Sequence, residues 1–153
     1  MVAFRYTPGC MPGYQKLLVV LDLSEDSEQV AVAARDLAAY SKAVIVALHV
    51  VEFVPVEPMG ESLMPTVQIE EELMRRSRTR LSELAARLGF ERAVLRVEAG
   101  NIKAEILRVA DEEGADLIVV GSRERHGLAI LVNFTEDAVL HAARCDVLAV
   151  RLR

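Results

Sequence analysis

Five short apolar runs alternate with four stretches of helical spacing, and this alternation constrains the fold more than any other feature of the chain. The runs are Lys16 to Asp22 (KLLVVLD), Ala43 to Val51 (AVIVALHVV), Ala93 to Glu98 (AVLRVE), Asp116 to Gly121 (DLIVVG) and Asp146 to Leu152 (DVLAVRL). Each is too short for a helix with a polar face, and the first two read as strands buried on both sides. Between them lie predicted helices over residues 25–40, 66–88, 102–114 and 133–143. Val30, Ala33, Ala34 and Leu37 recur at helical spacing in the first, and Ile102, Ile106, Val109 and Ala110 in the third. Strict β-α alternation implies a parallel sheet with right-handed crossovers and helices on both faces. With five strands the expected solution is an open sheet of order 3-2-1-4-5, layered as in flavodoxin-like folds.

The chain has 153 residues, and a single domain of that size buries roughly 70% of the surface it exposes when unfolded. No apolar run approaches the ~20 residues needed to span a bilayer, and the N-terminus lacks the zones of a secretory signal. With 18 Lys plus Arg against 23 Asp plus Glu, the net charge of −5 argues against binding nucleic acid through bulk charge. The two cysteines, Cys10 and Cys145, make neither a metal spacing nor a disulfide framework, which fits a reducing cytoplasm.

Residues 1–15, with two prolines and two glycines, read as an irregular arm before a domain spanning 16–153; an edge strand or a swapped arm is the alternative. The segment 52–65, with three prolines, reads as a long loop. The second helix carries Ile69, Leu73, Leu81, Leu84 and Leu88 on one face. Its other face holds Arg75, Arg76, Arg78, Arg80 and Glu83, read as a solvated surface rather than a polyanion-binding stripe because Glu70, Glu71 and Glu72 dilute the field. Gly89 and Gly114 are expected to close the second and third helices.

Ligands of open α/β sheets bind beyond the carboxyl ends of the strands, at the point where the strand order reverses. Here that point lies between the first and fourth strands. Asp22 ends the first, where its carboxylate either accepts from a base amine or ribose hydroxyl or caps the helix that follows, with Ser24 as the expected N-cap. Gly121 either lets the backbone approach an anion or makes a tight turn of positive φ. Arg123, Arg125 and His126 lie in the following loop, and Thr135 stands where it either donates to a phosphate or caps the last helix. His49, inside an apolar strand, reads as a satisfied core histidine. No catalytic set, metal spacing or Walker lysine is legible.

Four pieces of this sequence resemble the universal stress protein (UspA-like) family. They are LLVVLDLSEDSEQVAVAARDLA at 17–38, VIVALHVVE at 44–52, EAGNIKAEILRVADEEGADLIVVGS at 98–122 and CDVLAVR at 145–151. The resemblance implies an adenine-nucleotide alpha hydrolase-like fold and a homodimer paired through the C-terminal edge strand, acting as a stress-linked regulatory domain rather than a dedicated catalyst. In ATP-binding members the acid ending the first strand and the backbone near a histidine-valine pair hold the adenosine, and a glycine loop holds the phosphates. Carried over, this implies Asp22, Val50, Gly121, Ser122 and Thr135 as the residues meeting ATP. The loop departs from the family pattern: Glu124 replaces the second glycine and Asn133 or Phe134 the third. A carboxylate ~4 Å from phosphate oxygens repels them by several kcal/mol at intermediate dielectric, so the expectation is ATP binding that is weak or absent.

Overall fold

The computed structural model describes residues 13–52, 66–90, 92–123, 139 and 141–152. Eight elements follow in order: β1 (Lys16–Val20), α1 (Ser27–Ser41), β2 (Val44–Val51), α2 (Thr66–Leu88), β3 (Val94–Ala99), α3 (Ile102–Glu113), β4 (Leu117–Arg123) and β5 (Asp146–Leu152). The strands form one parallel sheet of order β3-β2-β1-β4-β5, as the alternation predicts. Val139, His141 and Ala142 are helical; the rest of the expected fourth helix lies outside the described residues or beyond its helical turn.

Side chains of a strand point alternately to opposite faces, and the core divides accordingly. Leu17, Val19, Leu117 and Val119 pack beneath α1 and α2 with Val30, Ala34, Leu81 and Leu84. Leu18, Val46, Leu48, Ile118 and Val120 pack on the other face with Ile106, Val109 and Val139. Each such buried aliphatic side chain contributes about 1.5–3 kcal/mol. Only the second half of α2 docks in this way: Ile69 and Leu73, expected on the core face, are 58% and 43% exposed, whereas Leu81 is 1%.

Local signals set the helix ends. Gly89 and Gly114 take positive φ of 76° and 62°, closing α2 and α3 as left-handed caps. Asn101 caps α3 by accepting the Ala104 amide at 3.1 Å. The start of α1 differs from expectation: a turn over residues 24–26 precedes the helix, which begins at Ser27, and the side chain of Ser24 is directed back to Asp22 instead of capping.

The amino end of the sheet is stapled by two carboxylates. Asp116 accepts the amides of Gln15 and Lys16 at 2.7 and 3.0 Å. The Tyr14 hydroxyl donates to Asp146 at 3.1 Å, and its ring packs against the core. Burial, then the hydrogen bond to Asp146, pushes the Tyr14 phenol up to about 12. Tyr14 and Gln15, read from sequence as part of the arm, are thus tied to β4 and β5; residues 1–12 lie outside the described part.

Candidate functional site

The register sets the site. Val19 stands beside Val119, and Val20 beside Leu48. Asp22 follows the end of β1 by two residues, and Val50 and Ser122 are each the last residue but one of β2 and β4, so all three lie on the carboxyl-end side of the sheet. There the chain leaves β1 while β4 continues to Arg123, two residues beyond its expected end at Gly121.

Asp22 is exposed at this mouth. Its Oδ1 accepts three hydrogen bonds: from the Ser24 amide at 3.0 Å, the Ser24 hydroxyl at 2.6 Å and the Ser27 hydroxyl at 2.6 Å. An aspartate accepting the amide two residues on makes an Asx turn, so the capping alternative is realised through this turn rather than at a helix N-cap. Ser27 is only 2% exposed, and Asp22 satisfies its buried hydroxyl.

The turn is also held from outside. Leu23 adopts a left-handed backbone with φ of 58°, unusual for a residue with a side chain, and this conformation sends its side chain into the core, where it is 9% exposed. The Leu23 carbonyl accepts from Arg80 Nη2 of α2 at 3.0 Å. The preceding carbonyl, of Leu21, lies 2.8 Å from His49 Nδ1, which therefore carries a proton and donates. The Leu21 amide in turn donates to the Leu48 carbonyl at 2.9 Å. His49 is satisfied, as its place in an apolar strand implies, with the Leu21 carbonyl as its partner, whereas Arg80, expected on the solvated face of α2, reaches this turn. A helix-face pattern cannot show a side chain that reaches a carbonyl 57 residues away.

Gly121 does not make the tight turn. Its φ is not positive, and it lies within β4 opposite Val150. A Cβ there would stand 3.1 Å from Val30 Cγ2 and 3.0 Å from Leu152 Cδ1, so the missing side chain makes room for α1 and β5. Val50 is 8% exposed and packs toward α3. Ser122 is half-buried opposite Arg151. Thr135, and with it Glu124, Arg125, His126 and Gly127, lies outside the described residues. The side chain of Arg123 is likewise not described.

Elsewhere, Arg75 and Arg76 both bind Glu72, at 2.8 and 2.6 Å, and their hydrogen bonds pull its carboxyl down to about 2. That pairing favours the solvated-surface reading of α2. Burial and then Asp146 push the Cys145 thiol up, which disfavours its nucleophilic thiolate. Among the described residues no cluster of three His, Cys, Asp or Glu is arranged to hold a metal, and no helix is long and apolar enough to cross a membrane.

The model of the universal stress protein family matches residues 13–151. This chain belongs to the universal stress protein family. It is 37% identical over 144 residues to universal stress protein A homolog 2 of Coxiella burnetii, covering 94% of this chain and 99% of that protein. Homolog 1 of the same organism is 34% identical over 141 residues, covering 92% and 98%. Among solved structures, a universal stress protein in complex with cAMP superposes with a TM-score of 0.73 at 23% identity, covering 92% of this chain and 99% of that one. The universal stress protein UspA from Lactobacillus plantarum gives 0.66 at 22% identity, covering 92% and 98%. At these identities the structural matches establish the fold alone. The family membership agrees with the resemblance read from the four sequence pieces.

Proposed function

We propose that this universal stress protein is a cytoplasmic regulatory domain, homodimeric through β5, whose crevice over β1 and β4 holds ATP weakly or not at all. The observation that supports a crevice is the placement of Asp22, Val50 and Ser122 at or just beyond the carboxyl ends of three adjacent strands. What argues against tight ATP binding is charge and backbone. Glu124 follows Arg123 where the family has a glycine, and a carboxylate beside phosphate oxygens repels them. Gly121 is occupied with packing α1 and β5.

Calorimetric titration with Mg-ATP tests this reading. Little heat is expected, and Glu124→Gly is expected to gain affinity. Micromolar ATP binding by the wild type, abolished by Asp22→Ala, would overturn it.

A second ligand is favoured by a specific finding, the related structure solved with cAMP. A cyclic monophosphate carries one negative charge, so Glu124 opposes it less than it opposes a triphosphate. Under this reading, cAMP gives measurable heat where Mg-ATP gives none.

The dimer rests on the edge position of β5. Among the described residues no strand pairs with its outer side; proteins tend to cover such an edge, and pairing about a two-fold axis covers it with itself. Sedimentation at micromolar concentration is expected to show a dimer, and a clean monomer would refute this part.

A further inference from the structure

Two side chains from different elements grip the carbonyls on either side of Asp22. His49 of β2 holds the carbonyl of Leu21 at 2.8 Å, and Arg80 of α2 holds that of Leu23 at 3.0 Å. Between them the chain makes a left-handed turn at Leu23, a conformation that a leucine keeps only when its surroundings impose it. We infer that His49 and Arg80 are positioning residues that fix the Asp22 carboxylate, and that Arg80 couples the attitude of α2 to the nucleotide crevice. This rests on the crevice reading above, while its central measurement needs no nucleotide.

The placement of Arg80 along α2 gives the coupling its direction. Arg80 immediately precedes Leu81, the first fully buried residue among the described side chains of the helix. Before it, Ile69 and Leu73 are largely exposed; after it, Leu84 and Ala85 are buried, and Arg87 pairs with Glu28 of α1 at 2.9 Å. The docked half of α2 therefore begins at the residue that reaches the turn. A tilt of the undocked half pivots about this point and draws the guanidinium toward or away from the Leu23 carbonyl. A hydrogen bond from a charged donor weakens steeply with distance and angle, so a displacement of about 1 Å is enough to release it. With Leu23 released, the turn loses the contact that opposes its strain, and Oδ1 of Asp22 loses its fixed relation to the Ser24 amide and the Ser27 hydroxyl. His49 acts from the sheet and supplies the fixed side of the grip.

The Ser24 amide, bonded to Asp22 Oδ1, reports the turn directly. Amide hydrogen exchange at Ser24, measured by NMR on the full chain without nucleotide, is expected to speed up about tenfold in Arg80→Ala, with the melting temperature little changed because the side chain is at the surface. Arg80→Lys, which keeps a charged donor, is expected to recover part of the protection. His49→Leu is expected to act like Arg80→Ala, whereas His49→Asn, whose amide nitrogen stands near the Nδ1 position, recovers it. Unchanged Ser24 exchange, within about twofold, in Arg80→Ala would overturn the inference even if His49→Leu does not fold. Titration of the same proteins with cAMP separates the two ideas. Faster Ser24 exchange together with weaker cAMP binding supports both. Faster exchange in a protein that gives no cAMP heat supports the positioning role and removes the cAMP reading.

Discussion

The two ends of the sheet use the same group, a carboxylate accepting backbone N–H, for opposite purposes. At the amino end, Asp116 takes the amides of Gln15 and Lys16, which lie 101 and 100 residues earlier in the chain. At the carboxyl end, Asp22 takes donors two and five residues later. A carboxylate that joins distant segments closes a long loop, and its loss is felt by the whole fold. One that organises its own turn can change without unfolding the domain. The difference teaches which end is built to hold and which to respond.

The sharpest way to break this comparison is to exchange the consequences. Asp116→Ala is expected to cost about 2 kcal/mol, since it strips charge-assisted partners from two amides at the start of β1. Asp22→Ala is expected to cost about 1 kcal/mol, the scale of a lost local cap, yet to remove whatever nucleotide binding the crevice has. Chemical denaturation of both variants, followed by cAMP titration, checks the pair. If Asp22→Ala proves the more destabilising, the two ends do not divide as described.

Tyr14 sharpens the same point by pH. Its folded value of about 12 lies above the ordinary value of 10.0, so the folded state holds this proton more tightly than the unfolded chain. The associated stability is fully present below pH 10 and is lost as pH rises toward 12. Tyr14→Phe is expected to cost about 1 kcal/mol at neutral pH and to flatten the decline above pH 10, read from denaturation midpoints.

The smallest effect is expected at the β3 flank. Arg96 joins Glu98, Glu112 and Glu113, while Arg108 joins Glu98, Glu105 and Glu112. The hydrogen bond from Arg108, then that from Arg96, holds the Glu112 carboxyl below its usual range. Its contribution is therefore present at neutral pH and fades as acid protonates the folded form. Arg108 and Glu112 are the exposed members of this half-buried cluster, so their pairing is screened by salt. Arg108→Ala is expected to shift the melting temperature less than Tyr14→Phe does, and 1 M salt is expected to shrink that shift further.

Much of this architecture is legible in the sequence, because each strand is a short aliphatic run and the ends of α2 and α3 carry their own signals. Gly89, Asn101 and Gly114 act within a few residues of themselves, and their roles follow from local geometry. Asp22 is legible for the same reason, since it ends an apolar run at the reversal of strand order. What stays hidden is whatever joins residues far apart in the chain. Asp116 reads as the first residue of the fourth strand, although it anchors the start of β1. Arg80 reads as one of several surface arginines, although it reaches the turn at Leu23. Gly121 reads as a tight turn or as a point of approach for an anion, whereas in the fold it provides closeness to Val30 and Leu152.

That closeness ties three positions into one unit of inheritance. Because α1 and the end of β5 press on bare backbone at Gly121, even an alanine there requires its neighbours to give by a few tenths of an ångström. Substitution at 121 is therefore expected to travel with a smaller residue at 30 or 152, and a lineage that trims Val30 gains a choice at 121 that its ancestors lacked.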